Sequence, residues 1–357
     1  MRIYIKFISS VYFKSLIFVF LVLTSLVFIL NLLSELDFFK NENVSIGFTL
    51  FLSLLNTPIQ IFELFPFILL ISIQLFFIKF FENKEIDIFK YSGLKNSSML
   101  LILSSLAILT GILIITIFYH ISSNLKNIYI EIKSGYTSDG KYLAVITKNG
   151  LWIKDKIDKK IIITNASAID ENFLNNIFIT EFDENFNVIR NIKSDKVDIS
   201  SRYWKILNPK IYEQNDYSNR ELMYLNTNFD FKRIQTLYSN LSALSFKELY
   251  ELRNNYEKLN SSTIEVDMYL LKLISYPIYL LLIVLFSSLI MFNIKQIRGT
   301  IFKILIGLFF SVIIYFLNNF SYVLGSTERI SIFFSIFFPL LILLSINMSM
   351  IYKINEK

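Results

Sequence analysis

Six stretches of this sequence stay apolar for as long as a bilayer core requires, and that constrains the fold more than any other feature. They run over about 15–34, 60–81, 98–121, 268–293, 302–323 and 330–352. Roughly 20 consecutive apolar residues cross the hydrocarbon region as a helix. Lipid offers a backbone no hydrogen bonds, so each run reads as a transmembrane α-helix. Hydrophobic residues make up 54% of the chain, above the ~45–50% of soluble domains, and the excess lies in these runs. The expected class is therefore an α-helical polytopic membrane protein. The apolar character before the second run begins near Val44. One helix from there to Phe81 would be about 55 Å long. A separate interfacial helix near 45–57, broken around Pro58, is expected instead. The first run lacks a small-residue cleavage site and is long for a signal segment, so it is expected to remain in the protein.

Basic residues orient the runs. Arg2, Lys6 and Lys14 precede the first, and Lys84, Lys90 and Lys95 lie between the second and third. Lys295, Arg298 and Lys303 follow the fourth, and Lys353 and Lys357 close the chain. The alternate loops, 35–43 and 324–329, are poor in Lys and Arg. The positive-inside rule then places both termini and the 82–97 loop in the cytoplasm, and about 122–266 on the opposite side.

That long segment has the character of a soluble domain. NIYIEIK (127–133) alternates in the manner of a strand, and YLAVITKNGLWIKD (142–155) carries Asn149-Gly150 between extended runs, a hairpin signal. KIIITNASAI, NIFITEF, FNVIRNI, KVDIS and YWKILNPKIY follow, separated by turn residues. Six to eight short strands imply an inserted all-β domain, a sandwich or rolled sheet. Trp152 and Trp204 read as its core residues. LSFKELYELRNNYEKLN (244–260) opens with the capping box Ser245-x-x-Glu248 and repeats Leu249, Leu252, Tyr256 and Leu259 at helical spacing. The expected layout is a first membrane half over 1–121, an inserted domain over 122–266 with a connecting helix near 245–260, and a second membrane half over 267–357.

The chain has no cysteine and one histidine, His120, which reads as an interfacial residue. Thiol chemistry is excluded, and a single histidine nearly excludes a histidine zinc site or a Ser/His/Asp triad. No Walker motif, G-x-G-x-x-G, H-E-x-x-H or G-x-S-x-G is present. The chain is expected to be non-catalytic and to hold no metal or cofactor of its own.

Two features invite a functional reading. ENKEIDIFKYSG (82–93) is a dense charged segment between two membrane runs. As a helix it places Glu85, Ile88 or Phe89, and Ser92 on one face. From spacing alone it is either a docking helix for a soluble partner or a solvated loop. Glu63, three residues before Pro66, is either a functional intramembrane acid or an interfacial residue. Pro277 and Pro339 also fall within membrane runs.

In this layout the chain resembles the LptF/LptG permease family, over nearly its whole length. The local resemblance lies in Phe65-Pro66, in KEIDIFKYSG, in NGLWIKD (149–155), and in LSFKELYELRNNYEKLN…YLLKLISYPI (244–278) with Lys272 and Pro277. The NGLWIKD stretch favours LptG. The resemblance implies a permease subunit of an ABC transporter that extracts lipopolysaccharide from the bacterial inner membrane. A separate LptB-type ATPase would use the ATP, and an LptF-type permease would be the second membrane subunit. LptC and LptA-type jellyroll proteins would receive the lipid, and the inserted domain would be a periplasmic β-jellyroll. Residues 83–93 would be the coupling helix, with Lys84, Glu85, Ile86, Ile88, Phe89, Tyr91 and Gly93 meeting the ATPase. Lys40, Glu63, Phe65, Pro66 and Lys272 are the candidate substrate contacts. The family carries basic residues at the outer end of the first span, where this chain has Asn31, Glu35 and Asp37 with only Lys40 basic. The headgroup contact is thus expected at Lys40, in the partner permease, or for a less anionic lipid. Two other classes fit the bare pattern: an ATP-independent envelope scaffold or lipid chaperone, and a proton-coupled transporter using Glu63 and Lys272.

Overall fold

The computed structural model describes residues 3–40, 44–83, 85–91, 93, 95–134, 136, 143–147, 150–157, 160–170, 172–213, 216–231, 234, 240–258, 262–294 and 299–355. The chain forms two compact units: Met1–Lys126 with Met268–Lys357, and Asn127–Asp267.

The first unit is helical. It contains α1 (Ile3–Phe38), α2 (Ile46–Glu82), the short α3 (Glu85–Tyr91) and α4 (Asn96–Leu113). A π-helical turn, Ile114–Tyr119, carries α4 into α5 (His120–Ser134). After the inserted unit come α7 (Ile264–Asn293), α8 (Thr300–Ser326) and α9 (Ile332–Asn355). Among the described residues, six helical stretches are long and apolar enough to cross a membrane. In α2 and α7, 67% of the most apolar stretch is buried, against 17–33% in the others, so these two form the centre of the bundle.

The expected break at Pro58 does not occur, and α2 runs unbroken from Ile46 to Glu82. Its early turns are held by hydroxyls that donate to carbonyls of the preceding turn. Thr49 Oγ1 donates to Ile46, Ser53 Oγ to Thr49, and Thr57 Oγ1 to Ser53, all at 2.7–2.8 Å. Several polar side chains of this first half are buried against neighbouring helices. Asn31 of α1 donates to Thr57 Oγ1 at 3.1 Å, and its own carbonyl accepts from Gln60 at 2.9 Å and Asn56 at 3.4 Å. Lys126 of α5 donates to Asn56 Oδ1 at 2.6 Å. Glu35, which the sequence suggested lay in an acidic loop, is in the last turns of α1 and is buried.

Pro66 has a different solution. Proline lacks an N–H, so it frees the carbonyl four residues earlier, here Phe62. Tyr276 of α7 donates its hydroxyl to that carbonyl at 2.7 Å, and its ring stacks on Phe62 with centroids 4.8 Å apart. The proline thus creates an acceptor that joins the two central helices. Elsewhere, close approach is set by glycine. A Cβ at Gly111 of α4 would lie 3.0 Å from Pro277 Cα of α7, and one at Gly307 of α8 would fall on the Gln74 carboxamide of α2. Small residues permit such helix contacts in lipid, where apolar burial provides little drive.

The second unit does not begin with a strand. NIYIEIK lies in α5, and its alternation is overridden because the helix continues through the π turn from α4. Tyr129 is buried and Lys133 donates to its hydroxyl at 2.8 Å one turn on, a helical pairing. Among the described residues, nine antiparallel strands follow: β1 (Leu143–Thr147), β2 (Gly150–Ile157), β3 (Lys160–Asp170), β4 (Phe173–Phe182), β5 (Val188–Asp198), β6 (Tyr203–Leu207), β7 (Lys210–Glu213), β8 (Asp216–Asn219) and β9 (Leu222–Asn226). The order is β1-β2-β3-β4-β5-β6-β9, with β7 pairing β5 and β8. The hairpin signalled by Asn149-Gly150 is present, but Gly150 already belongs to β2 and pairs with Thr147, one residue off the register an Asn-Gly turn centre would give; Asn149 itself lies outside the described residues.

One face of this sheet supplies a single core, from Leu151 and Ile153 on β2 to Met223 and Leu225 on β9. Strands so far apart in the order share a core only because the sheet curls. Asp155 of β2 closes the curl. Buried itself, it accepts from Thr227 Oγ1, Asn228 N and Asn228 Nδ2, each at 2.9 Å, in the segment after β9. Trp204 lies in this core, with its Nε1 donating to Phe229 O at 2.7 Å. Trp152 does not. It stands on the opposite face from Leu151 and Ile153 and is 43% exposed, as strand alternation dictates. Buried Glu181 is paired by Arg190 at 2.6 Å. The capping box forms at the start of α6 (Phe246–Lys258), where Ser245 N donates to Glu248 Oε2 at 2.7 Å.

Asp155→Ala leaves buried donors unpaired and is expected to cost about 3 kcal/mol. The purified protein should lose the melting transition of its inserted unit earlier, while Trp152→Ala should leave it nearly unmoved. Tyr276→Phe should cost about 1–2 kcal/mol by orphaning the Phe62 carbonyl, read as earlier thermal unfolding in detergent. In the β4–β5 turn, Asn187, through side chain and backbone, and the Asn185 amide hold the Asp183 carboxyl below its ordinary 3.8. Its stabilisation is present above the unfolded pKa and fades as pH falls through the lower folded one. Asp183→Ala should therefore destabilise near neutrality, by an amount that shrinks as the pH drops below 3.8.

Candidate functional site

Two places in the helical unit gather the side chains that the sequence singled out. The first is α3. It begins two residues after α2 ends, and Gly93, at φ 81°, follows its last turn. A left-handed residue there stops the helix, and glycine adopts it without strain. Asn83, the residue between α2 and Lys84, donates its Nδ2 to Glu85 Oε1 at 3.2 Å. That bond fixes the carboxylate at the start of α3. Ile88 is 59% exposed and Tyr91 is 92% exposed. Lys84 lies outside the described residues, as does the Ile86 side chain.

Phe89 faces the other way. Its ring stacks on Phe80 of α2, with centroids 5.9 Å apart and planes at 17°, and meets Phe7 of α1 at 5.9 Å. Phe7 and Phe80 also meet at 5.9 Å. The three rings form a closed triangle, so Phe89, expected among the partner contacts, is instead an anchor for α3 on two membrane helices. The same end of α2 holds α8. Thr300 Oγ1 donates to Glu82 Oε1 at 3.1 Å, Gln74 Nε2 to Lys303 O at 3.4 Å, and the Lys303 ammonium lies 4.7 Å from the centre of the Phe81 ring.

The second place is a cavity of about 360 Å³ among α2, α7, α8 and α9. It brings together Glu63, Pro66 and Lys272. Phe65 is buried in helix packing and is not among the lining residues. Lys40 follows the end of α1, is exposed, and is not part of this lining. The sequence reading missed the cavity's most abundant component: Tyr269, Tyr276, Tyr279, Tyr315 and Tyr322 line it. Asn318 also lines it and bonds Tyr279. The signal was there to find. Tyr269, Lys272, Tyr276 and Tyr279 recur at helical spacing in one apolar run, and Tyr315, Asn318 and Tyr322 do so in another. Polar-tipped residues repeated at i, i+3 and i+7 mark one wet or ligand-facing stripe on an otherwise greasy helix.

Outside the cavity the bundle presents long apolar faces. On α1, Ile17, Leu21, Ile29 and Leu33 are each more than half exposed, as are Leu305, Phe309, Phe316 and Phe320 on α8. Such faces are stable only against lipid or another membrane subunit.

A comparison with protein families places residues 6–353 within one description, the lipopolysaccharide export system permease LptF/LptG. No curated protein sequence matches the chain. The family description covers both membrane halves and the inserted strand unit, and it agrees with a multi-pass protein of six apolar helices. The chain belongs to the LptF/LptG family of lipopolysaccharide export permeases.

Proposed function

We propose that the chain is the LptG-type permease subunit of an ABC transporter that lifts lipopolysaccharide out of the bacterial inner membrane. A separate LptB-type ATPase hydrolyses the ATP, and this chain binds no cofactor. An LptF-type permease completes the membrane part, and LptC and LptA-type proteins take the lipid onward from a periplasmic, jellyroll-like inserted domain. Both termini and α3 lie in the cytoplasm in this reading, supported by the placement of Lys and Arg.

The observation that carries the proposal is the geometry of α3. A short charged helix between two membrane helices exposes Ile88 and Tyr91, holds Glu85 by an Asn83 bond, and turns Phe89 onto Phe7 and Phe80. Its outward side suits an apolar groove with a basic or donor group for Glu85. Its inward side passes any displacement to α1 and α2, and through Glu82 to α8. A solvated loop has no need of the ring contact. Glu63, Pro66 and Lys272 meet lipid in this account, Phe65 supports them by packing, and Lys40 stands at the level of the headgroup. The exported acyl chains run along the open apolar faces of α1 and α8, which need no charge to hold them.

Glu85→Lys and Ile88→Asp should each reduce co-purification of the ATPase by roughly tenfold, a loss of about 1.4 kcal/mol. Phe89→Ala should retain the ATPase but lower lipid released per ATP hydrolysed, because the anchor and not the contact is lost. Full assembly and full transport with Glu85→Lys would refute the assigned contact. On depletion, lipopolysaccharide should accumulate in the inner membrane; normal surface lipopolysaccharide with altered cell shape would favour the scaffold reading.

A further inference from the structure

We infer that the cavity among α2, α7, α8 and α9 is a binding site for one zwitterionic glycerophospholipid, its cationic amine at Glu63 and its phosphate at Lys272. The first argument is charge. Glu63 and Lys272 both open onto the cavity. Both line the same cavity, yet no ion pair joins them; the Lys272 ammonium lies 5.6 Å from the centre of the Tyr322 ring instead. Opposite charges held apart among membrane helices are costly unless something satisfies both. A group carrying a cation and an anion a few bonds apart does so. A purely anionic headgroup would leave Glu63 opposed by like charge.

The second argument is the lining. Tyr315 and Asn319 add polar groups to the lining beside the charged pair, suited to phosphate and ester oxygens. Phe67, Val312, Ile336 and Leu340 supply an apolar wall for a chain. Tyrosine faces also favour a cation placed over them. The third argument is size. A cavity of about 360 Å³ is at the lower end of small-molecule sites, room for a headgroup and part of one chain. Glu63 and Lys272 are residues that the proposed function sets against lipid; the inference rests on that placement and names the headgroup class they hold, whatever cargo runs along the open faces of α1 and α8.

The test uses the full-length protein, with any subunits that co-purify, in detergent. It is incubated with equal phosphatidylethanolamine and phosphatidylglycerol, and bound lipid is counted by native mass spectrometry. The wild type should hold one phosphatidylethanolamine with about a tenfold preference. Glu63→Gln should abolish that preference, and Lys272→Gln should weaken both lipids. Val312→Trp, which fills the cavity without touching either charge, should displace the bound lipid while leaving the elution profile of the complex unchanged. Equal retention of the two lipids by wild type, or an unchanged preference in Glu63→Gln, overturns the inference. Loss of lipopolysaccharide export with lipid preference intact would bear on the proposed function alone.

Discussion

A bilayer cannot hydrogen-bond, and the central helices of the helical unit are joined by side chains that answer that constraint. Pro66 frees the carbonyl of Phe62, and Tyr276 reaches from α7 to satisfy it. Ser287 of α7 donates to Leu70 O of α2, and Asn347 of α9 to Leu282 O of α7. Each bond is a side chain of one helix on the backbone of another. In lipid such bonds contribute modestly, on the order of 1 kcal/mol, but they fix rotation and register where apolar contacts alone would slide. α2 takes part in most of them, which agrees with its burial. The long first half of α2 obeys the same rule through the cluster of Asn31, Asn56, Thr57, Gln60 and Lys126.

Because α2 is the fixed centre, what happens at its end matters. It finishes at Glu82, and α3 starts within three residues. Phe76 and Phe80 stack on each other at 4.3 Å, and Phe80 then meets Phe89 and Phe7. A push on α3 therefore arrives at a column of rings that is already packed. Interiors at this density transmit displacement and do not absorb it. The Thr300–Glu82 bond and the Gln74 contact at Gly307 extend the connection to α8. α1 and α8 are also helices with broad exposed apolar faces, so the parts that a coupling helix would move are the parts that would hold a lipid.

Much of this was legible before the structure. Six apolar runs, the Asn-Gly hairpin and the capping box at Ser245 each rest on a local signal strong enough to survive tertiary context, whereas spacing alone left the segment after α2 open between a helix and a loop. The failures share a cause. NIYIEIK alternates like a strand, but a helix already under way from the membrane extends through it, and continuation costs less than a new start. The break at Pro58 is expected because one helix to Phe81 is longer than a bilayer core; what carries the extra length, the buried cluster of Asn31, Asn56, Thr57 and Gln60, is a tertiary feature. Trp152 was assigned to the core on residue type, although its parity with Leu151 and Ile153 placed it outside. Glu63, Pro66 and Lys272 were picked as unusual residues, and the fold does bring them to one cavity; Phe65 was carried along by sequence adjacency alone. The tyrosines that complete the cavity were missed because each is ordinary singly and informative only at helical spacing.

The central claim is that α3 presents Tyr91 and Ile88 to a cytoplasmic ATPase while Phe89 holds it to the bundle. The chain has no cysteine, so Tyr91→Cys introduces a single thiol. Labelling with a membrane-impermeant maleimide, on sealed vesicles of either orientation and with or without the ATPase, tests the claim directly. Reaction from the cytoplasmic face only, and protection once the ATPase is bound, is the expected result. Reaction from the opposite face, or equal reaction with and without the ATPase, would contradict it.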